Sequence, residues 1–201
     1  MIEAYNQCYL PRAMRNLGLC FDAGMLRMKP EDFLRRFLDS DLARAWESGD
    51  PAYLAGRTGD ELYTALSGET VDPDIHDVDL TKEFWCGQML CYVQWALGLP
   101  FARLMEAYPL PELLKLAKER RDAQPEEIAA LYHARLFPQP ALKRLRLSRG
   151  LSQSQLALVS GVKIRSIRAY EQGDLDISRA QYDTLRALAG ALKCSVEDLM
   201  S

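Results

Sequence analysis

Histidine is nearly absent: of 201 residues only His76 and His133 carry an imidazole. One sits in an acidic stretch and the other in an expected helix, with no H-E-x-x-H pattern or paired Cys/His spacing. Neither a metal site nor any other cofactor is indicated. Cysteines at positions 8, 20, 86, 91 and 194 form an odd set without a C-x-x-C pair, which argues against a disulfide framework. Reduced, mostly buried thiols are expected, a redox or interface role for one of them being the alternative. Phosphate loops of the G-x-x-x-x-G-K and G-x-G-x-x-G kinds are missing, as is a G-x-S-x-G elbow. These absences speak against an enzyme.

Long apolar runs are lacking too. The most apolar segment, Phe84 to Leu97, carries Gln88 and Gln94 and falls short of the roughly 18 to 20 residues a membrane helix needs. The N-terminus, with Glu3 and no charged-then-apolar leader, does not resemble an export signal, so a cytoplasmic protein is expected. No alternating β-branched run is long enough for a sheet, whereas helix signals recur; the expected fold class is all-α.

A hydrophobic content of 48% and a charged content of 26% place the chain among globular proteins, with length enough for two small cores. Pro138 and Pro140 push their preceding residues out of helical geometry. They predict a linker over 138–140 between a helical sensor or partner-binding domain, 1–137, and a second domain, 141–201.

In the first domain Pro30 suits a first helical turn, and Phe33, Leu34, Phe37 and Leu38 make one apolar stripe. A helix over Asp41 to Ser48 is followed by a turn at Gly49. Thr58 with Glu61 forms a capping-box pattern that opens a helix reaching about Ser67. "VDPDIHDVD", Val71 to Asp79, reads as a solvated acidic loop, with weak cation binding as the alternative. The helix that follows to Leu97 is apolar nearly all round, as in the centre of a bundle. Its aromatic stripe is read as core, a ligand lining being the alternative. Further helices are expected over Phe101 to Ala107, Glu112 to Arg121 and Glu126 to Leu136.

Charge is unevenly spread over a chain of net charge -3. From Pro140 to Gly173 the basic residues Lys143, Arg144, Arg146, Arg149, Lys163, Arg165 and Arg168 face a single acid, Glu171, a net of +6. Residues 1–139 carry -7 and residues 174–201 carry -2. A basic island of this kind suits a confined contact with a polyanion such as DNA.

Within the island, "SQSQLALVSGVKIRSIRAYEQG" meets the steric demands of two helices joined by a tight turn. Ala157 lets them approach, Gly161 permits a left-handed residue, and Leu156, Val162, Ile167 and Tyr170 form the shared core. Ser152, Ser178 and Ser195 are placed to cap helices. With "RGLSQSQLA", "SGV", "YEQG" and "LAGALKCSVEDLM", residues 141–201 resemble the lambda-repressor-like, Xre-type helix-turn-helix family, which has five helices.

The resemblance implies a double-stranded DNA operator as partner and a homodimer on a pseudo-palindrome. The third helix of the domain then presents Lys163, Ile164, Arg165, Arg168 and Ala169 to the major groove. Arg165 and Arg168 can each offer two donors to a guanine edge, Ile164 and Ala169 can meet a thymine methyl, and Lys163 suits a phosphate. Gln153 matches a glutamine that contacts phosphate and braces the helices, while Ser152 and Gln172 add backbone contacts. Arg146 and Glu171 match a helix-locking ion pair.

"SGDPAYLAGRTGDELY" and "EFWCGQMLCYVQWALGLPF" are similar to a poorly described helical family of bacterial regulators found near toxin-antitoxin genes. Three functions follow: a transcriptional regulator, most simply a repressor; an autoregulating antitoxin whose N-terminal domain holds a toxin; and an adaptor whose helix-turn-helix does not read DNA. A small ligand on the N-terminal domain is the other partner considered.

Overall fold

A computed structural model describes residues 4–70 and 81–200, and divides the chain into two compact units, Met1–Leu136 and Phe137–Ser201. The acidic stretch with His76 lies outside the described residues, and every described element is helical.

Unit one is organised about α1 (Leu10–Arg27) and α6 (Lys82–Leu97), which lie against each other more extensively than any other pair. Punctuation in the sequence marks no helix before Pro30, so α1 is an addition, and its signals are weak for a physical reason. Tyr9 gives it no side-chain cap, and it buries Asn16, Gly18, Asp22 and Gly24, all poor helix formers. Packing rather than propensity holds it helical. A Cβ on Gly87 of α6 would stand 2.4 Å from the carbonyl oxygen of Leu17, so the two backbones cross in near contact. The buried polar groups are used as ties: Asn16 donates to the Arg57 carbonyl at 2.7 Å, and the Thr81 hydroxyl donates to Asp22 at 2.6 Å, at the start of α6.

Around this pair run α2 (Pro30–Asp39), α3 (Asp41–Glu47), α4 (Pro51–Leu54), α5 (Gly59–Ser67), α7 (Phe101–Ala107), α8 (Leu110–Glu119) and α9 (Pro125–Leu136). Phe33, Leu34 and Phe37 of α2 are buried as the stripe predicts, Leu38 only in part. Phe21, Phe37 and Phe101 meet edge to face at 5.0 Å, joining α1, α2 and α7. The capping box at Thr58 and Glu61 is formed in full. Where a turn is expected after Gly49, the Asp50 carboxylate caps the short α4 instead. The aromatic residues of α6 are core: Phe84, Trp85, Tyr92 and Trp95 are all buried.

Unit two contains α10 (Ala141–Ser148), α11 (Gln153–Ser160), α12 (Ile164–Gln172), α13 (Tyr182–Leu192) and α14 (Val196–Leu199). Leu142, Leu156, Ile167, Leu185, Leu188 and Leu192 are central to its core, with Val162 and Tyr170 partly buried against them. Ser152 and Ser195 each cap their helix in a reciprocal box, with Gln155 and Asp198. Ser178 does not cap the fourth helix. Asp176 captures both its backbone N–H and its hydroxyl in a short 3-10 turn, and α13 starts later, after Gln181.

Candidate nucleic-acid interface

Between α11 and α12 the chain turns through Gly161, whose φ of +72° is open to glycine without strain. Lys163 then precedes α12, and the exposure pattern along the helix assigns its faces. Ile167 and Glu171 are buried and mark the inner side; Arg165, Arg168 and Gln172 are exposed on the outer side, with Lys163 exposed at its start. At about 100° per residue the three outer side chains of the helix fall within an arc of about 60°. Ile164 and Ala169 are half-buried. They flank the outward arc on either side.

Behind this surface a polar clamp joins three helices. Arg146 of α10 donates through Nε to Glu171 Oε1 at 2.6 Å and through Nη2 to Oε2 at 2.8 Å, and through Nη1 to the Leu151 carbonyl at 2.7 Å. Gln153 of α11 donates to the same Glu171 Oε2 at 2.8 Å. Burial by itself would raise the Glu171 carboxyl, but the hydrogen bonds from Arg146 and Gln153, with the charge of Arg146, carry it below its ordinary value. Donating to Glu171, the guanidinium of Arg146 is held above its ordinary value, the hydrogen bond outweighing desolvation. The carboxylate is therefore ionised at neutral pH and pins α12 to the other two helices.

The basic island thus divides by role. Arg146 is internal. Arg149 donates to the carbonyls of Leu192 and Lys193 at the end of α13, where a cation suits the helix dipole. Lys163, Arg165 and Arg168 stay on the surface, and no described carboxylate forms an ion pair with them. Composition cannot separate these groups, because the partners of Arg149 are backbone atoms more than forty residues further along the chain. Ser152 is exposed at the start of α11, and Gln153 is half-buried beside it.

A family model described as helix-turn-helix matches residues 142–199. This segment is a lambda-repressor-like, Xre-type helix-turn-helix domain. Such domains are DNA-binding regulator modules and not an enzyme family. The helix-turn-helix match leaves the N-terminal unit uncovered, and neither the curated proteins nor the solved structures give a match to the chain.

Outside the helix-turn-helix domain, Cys20, Cys86 and Cys91 are buried. Burial pushes the Cys86 and Cys91 thiols up to about 12, which removes their nucleophilic thiolate form at neutral pH. Among the described residues, no three His, Cys, Asp or Glu side chains gather as a metal site, and no helix is long and apolar enough to cross a membrane.

Proposed function

We propose that the chain is a sequence-specific, double-stranded DNA-binding transcriptional repressor. In this reading it binds as a homodimer to a pseudo-palindromic operator, with α12 in the major groove. The observation that carries the reading is the arc of Lys163, Arg165, Arg168 and Gln172 on a helix whose inner side is clamped by Glu171 and Arg146. A rigid cationic helix loses little freedom on docking, so its charge goes into binding.

Arg165 and Arg168 are the base readers, each able to span a guanine edge with two donors. Lys163 and Gln172 take phosphates. Gln153 keeps a second amide hydrogen beyond the one given to Glu171, and the Ser152 hydroxyl, already an acceptor from Gln155, still has its own proton to donate. Both are suited to the phosphate backbone. Ile164 and Ala169, at the margins, meet thymine methyls only if the helix lies deep in the groove.

Fluorescence anisotropy with selected and random duplexes over a salt series tests this. Each phosphate contact adds about 0.9 to the slope of log affinity against log salt. Salt-insensitive binding, or none, would sink the proposal.

One observation favours a second reading, an adaptor that contacts protein through this domain. Leu158 and Val159 are 84% and 62% exposed on α11, a helix without a single charged residue. The same duplex titration separates the two.

A further inference from the structure

We propose that the outward face of α11 is where a second copy of this chain docks, in a contact too small to hold a dimer in solution and made between copies seated on the two half-sites of one operator. This role rests on the operator-binding reading, to whose homodimer it assigns a surface.

The face follows from the helix period. At about 100° per residue, Ser154, Gln155, Leu158 and Val159 fall within an arc of about 140°, on the side away from the buried Leu156. All four are exposed, Leu158 at 84% and Val159 at 62%. The other large exposed hydrophobics described in this unit, Phe137, Leu147, Leu175, Tyr182 and Met200, stand singly along the chain. Leu158 and Val159 form the one adjacent pair among them.

Charge selects the occupant. The stretch from Pro140 to Gly173 carries a net +6, and α10 and α12 within it both hold basic residues, so a second copy approaching through either brings like charges together. The helix α11 has no charged residue and is the one helix of the basic stretch on which two copies meet without that repulsion. An acidic protein would be drawn to the cationic arc of α12 instead. A two-fold axis sets the same patch of each copy against the other, Leu158 and Val159 onto their own counterparts, with Ser154 and Gln155 as a polar rim.

Area decides when the contact forms. The face exposes on the order of a few hundred Å², against roughly 800 Å² per partner in a standard stable interface. Free copies therefore stay apart, and the patch acts only where DNA holds two chains side by side at an effective concentration on the order of millimolar. Val159 lies two residues before Gly161, the entry to α12, so a contact here fixes one α12 relative to the next.

Anisotropy titrations of the full chain test this on two selected duplexes, one with a single half-site and one with the inverted pair. The second copy is expected to bind the paired duplex about tenfold or more tightly than the first, while sedimentation without DNA shows a monomer at the same protein concentrations. Leu158→Gln/Val159→Thr changes two exposed residues; it should unfold at the wild-type temperature and keep the half-site affinity while losing the cooperativity. Leu158→Lys and Leu158→Glu chains should each bind without cooperativity and regain it when mixed in equal amounts, which only contact between copies through this residue produces. Independent filling of the paired duplex, cooperativity unchanged in the double variant, half-site affinity lost along with it, or a dimer in solution that survives the double variant overturns the proposal and leaves operator binding standing. A chain that binds neither duplex sinks the operator-binding reading and this role with it.

Discussion

Glu171 receives three hydrogen bonds, two from Arg146 at 2.6 and 2.8 Å and one from Gln153 at 2.8 Å, with the Arg146 and Glu171 side chains only 8% and 2% exposed. One carboxylate therefore fastens α12 to both α10 and α11. Removing it leaves a buried guanidinium whose remaining hydrogen bond among the described residues goes to the Leu151 carbonyl. Glu171→Ala should destabilise the domain by about 3 to 5 kcal/mol, while Arg146→Met/Glu171→Leu should cost much less than the sum of its single changes. Urea unfolding of the four proteins checks both expectations.

The same carboxylate makes stability depend on pH with a definite sign. Its folded pKa lies below the unfolded value, so its contribution is present above the unfolded pKa, about 4.3 for glutamate, and is lost as pH falls through the lower folded value. The stability gap between wild type and Glu171→Gln should be full at pH 7 and should narrow below about pH 4.3. Parallel denaturation at pH 7, 4.5 and 3 measures it; a gap that widens on acidification would contradict the assignment.

Substitutions on α12 should separate base reading from charge. Arg165→Ala and Arg168→Ala are each expected to cost about 1 to 3 kcal/mol on the preferred duplex and to relax the preference at one position. Lys163→Ala should weaken selected and random duplexes alike and lower the salt slope by about 0.9. Anisotropy titrations on both duplexes give each number.

Two glycines should fail for different reasons when replaced by alanine. At Gly87 the new methyl meets the Leu17 backbone at 2.4 Å, so α1 and α6 must separate; a loss of about 3 kcal/mol or more is expected from so rigid a clash. At Gly161 nothing stands within 4 Å of the new Cβ, and only the left-handed φ of +72° opposes it, at a cost of about 1 to 2 kcal/mol. Thermal unfolding followed by circular dichroism compares the two.

Much of the second unit is legible in sequence because its signals are local. Ser152 is placed to cap α11, Gly161 takes the left-handed turn, and Leu156 and Ile167 mark the buried side. Local chemistry misleads at Ser178, where Asp176 two residues earlier competes for the hydroxyl and N–H.

The sequence by itself determined the all-helical class, the caps at Thr58, Ser152 and Ser195, the turn at Gly161, and the basic stretch with its lone acid, since the caps and the turn depend on residues within one helical turn. Tertiary structure alone decided that α1 is a helix at all, for a segment with buried Asn16, Gly18 and Asp22 becomes stable only against α6. It also decided which cations remain for a partner. Glu171 and the end of α13 consume Arg146 and Arg149, while Lys163, Arg165 and Arg168 face outward. That division depends on contacts between residues about twenty-five to forty-four positions apart, a range over which no sequence periodicity reports.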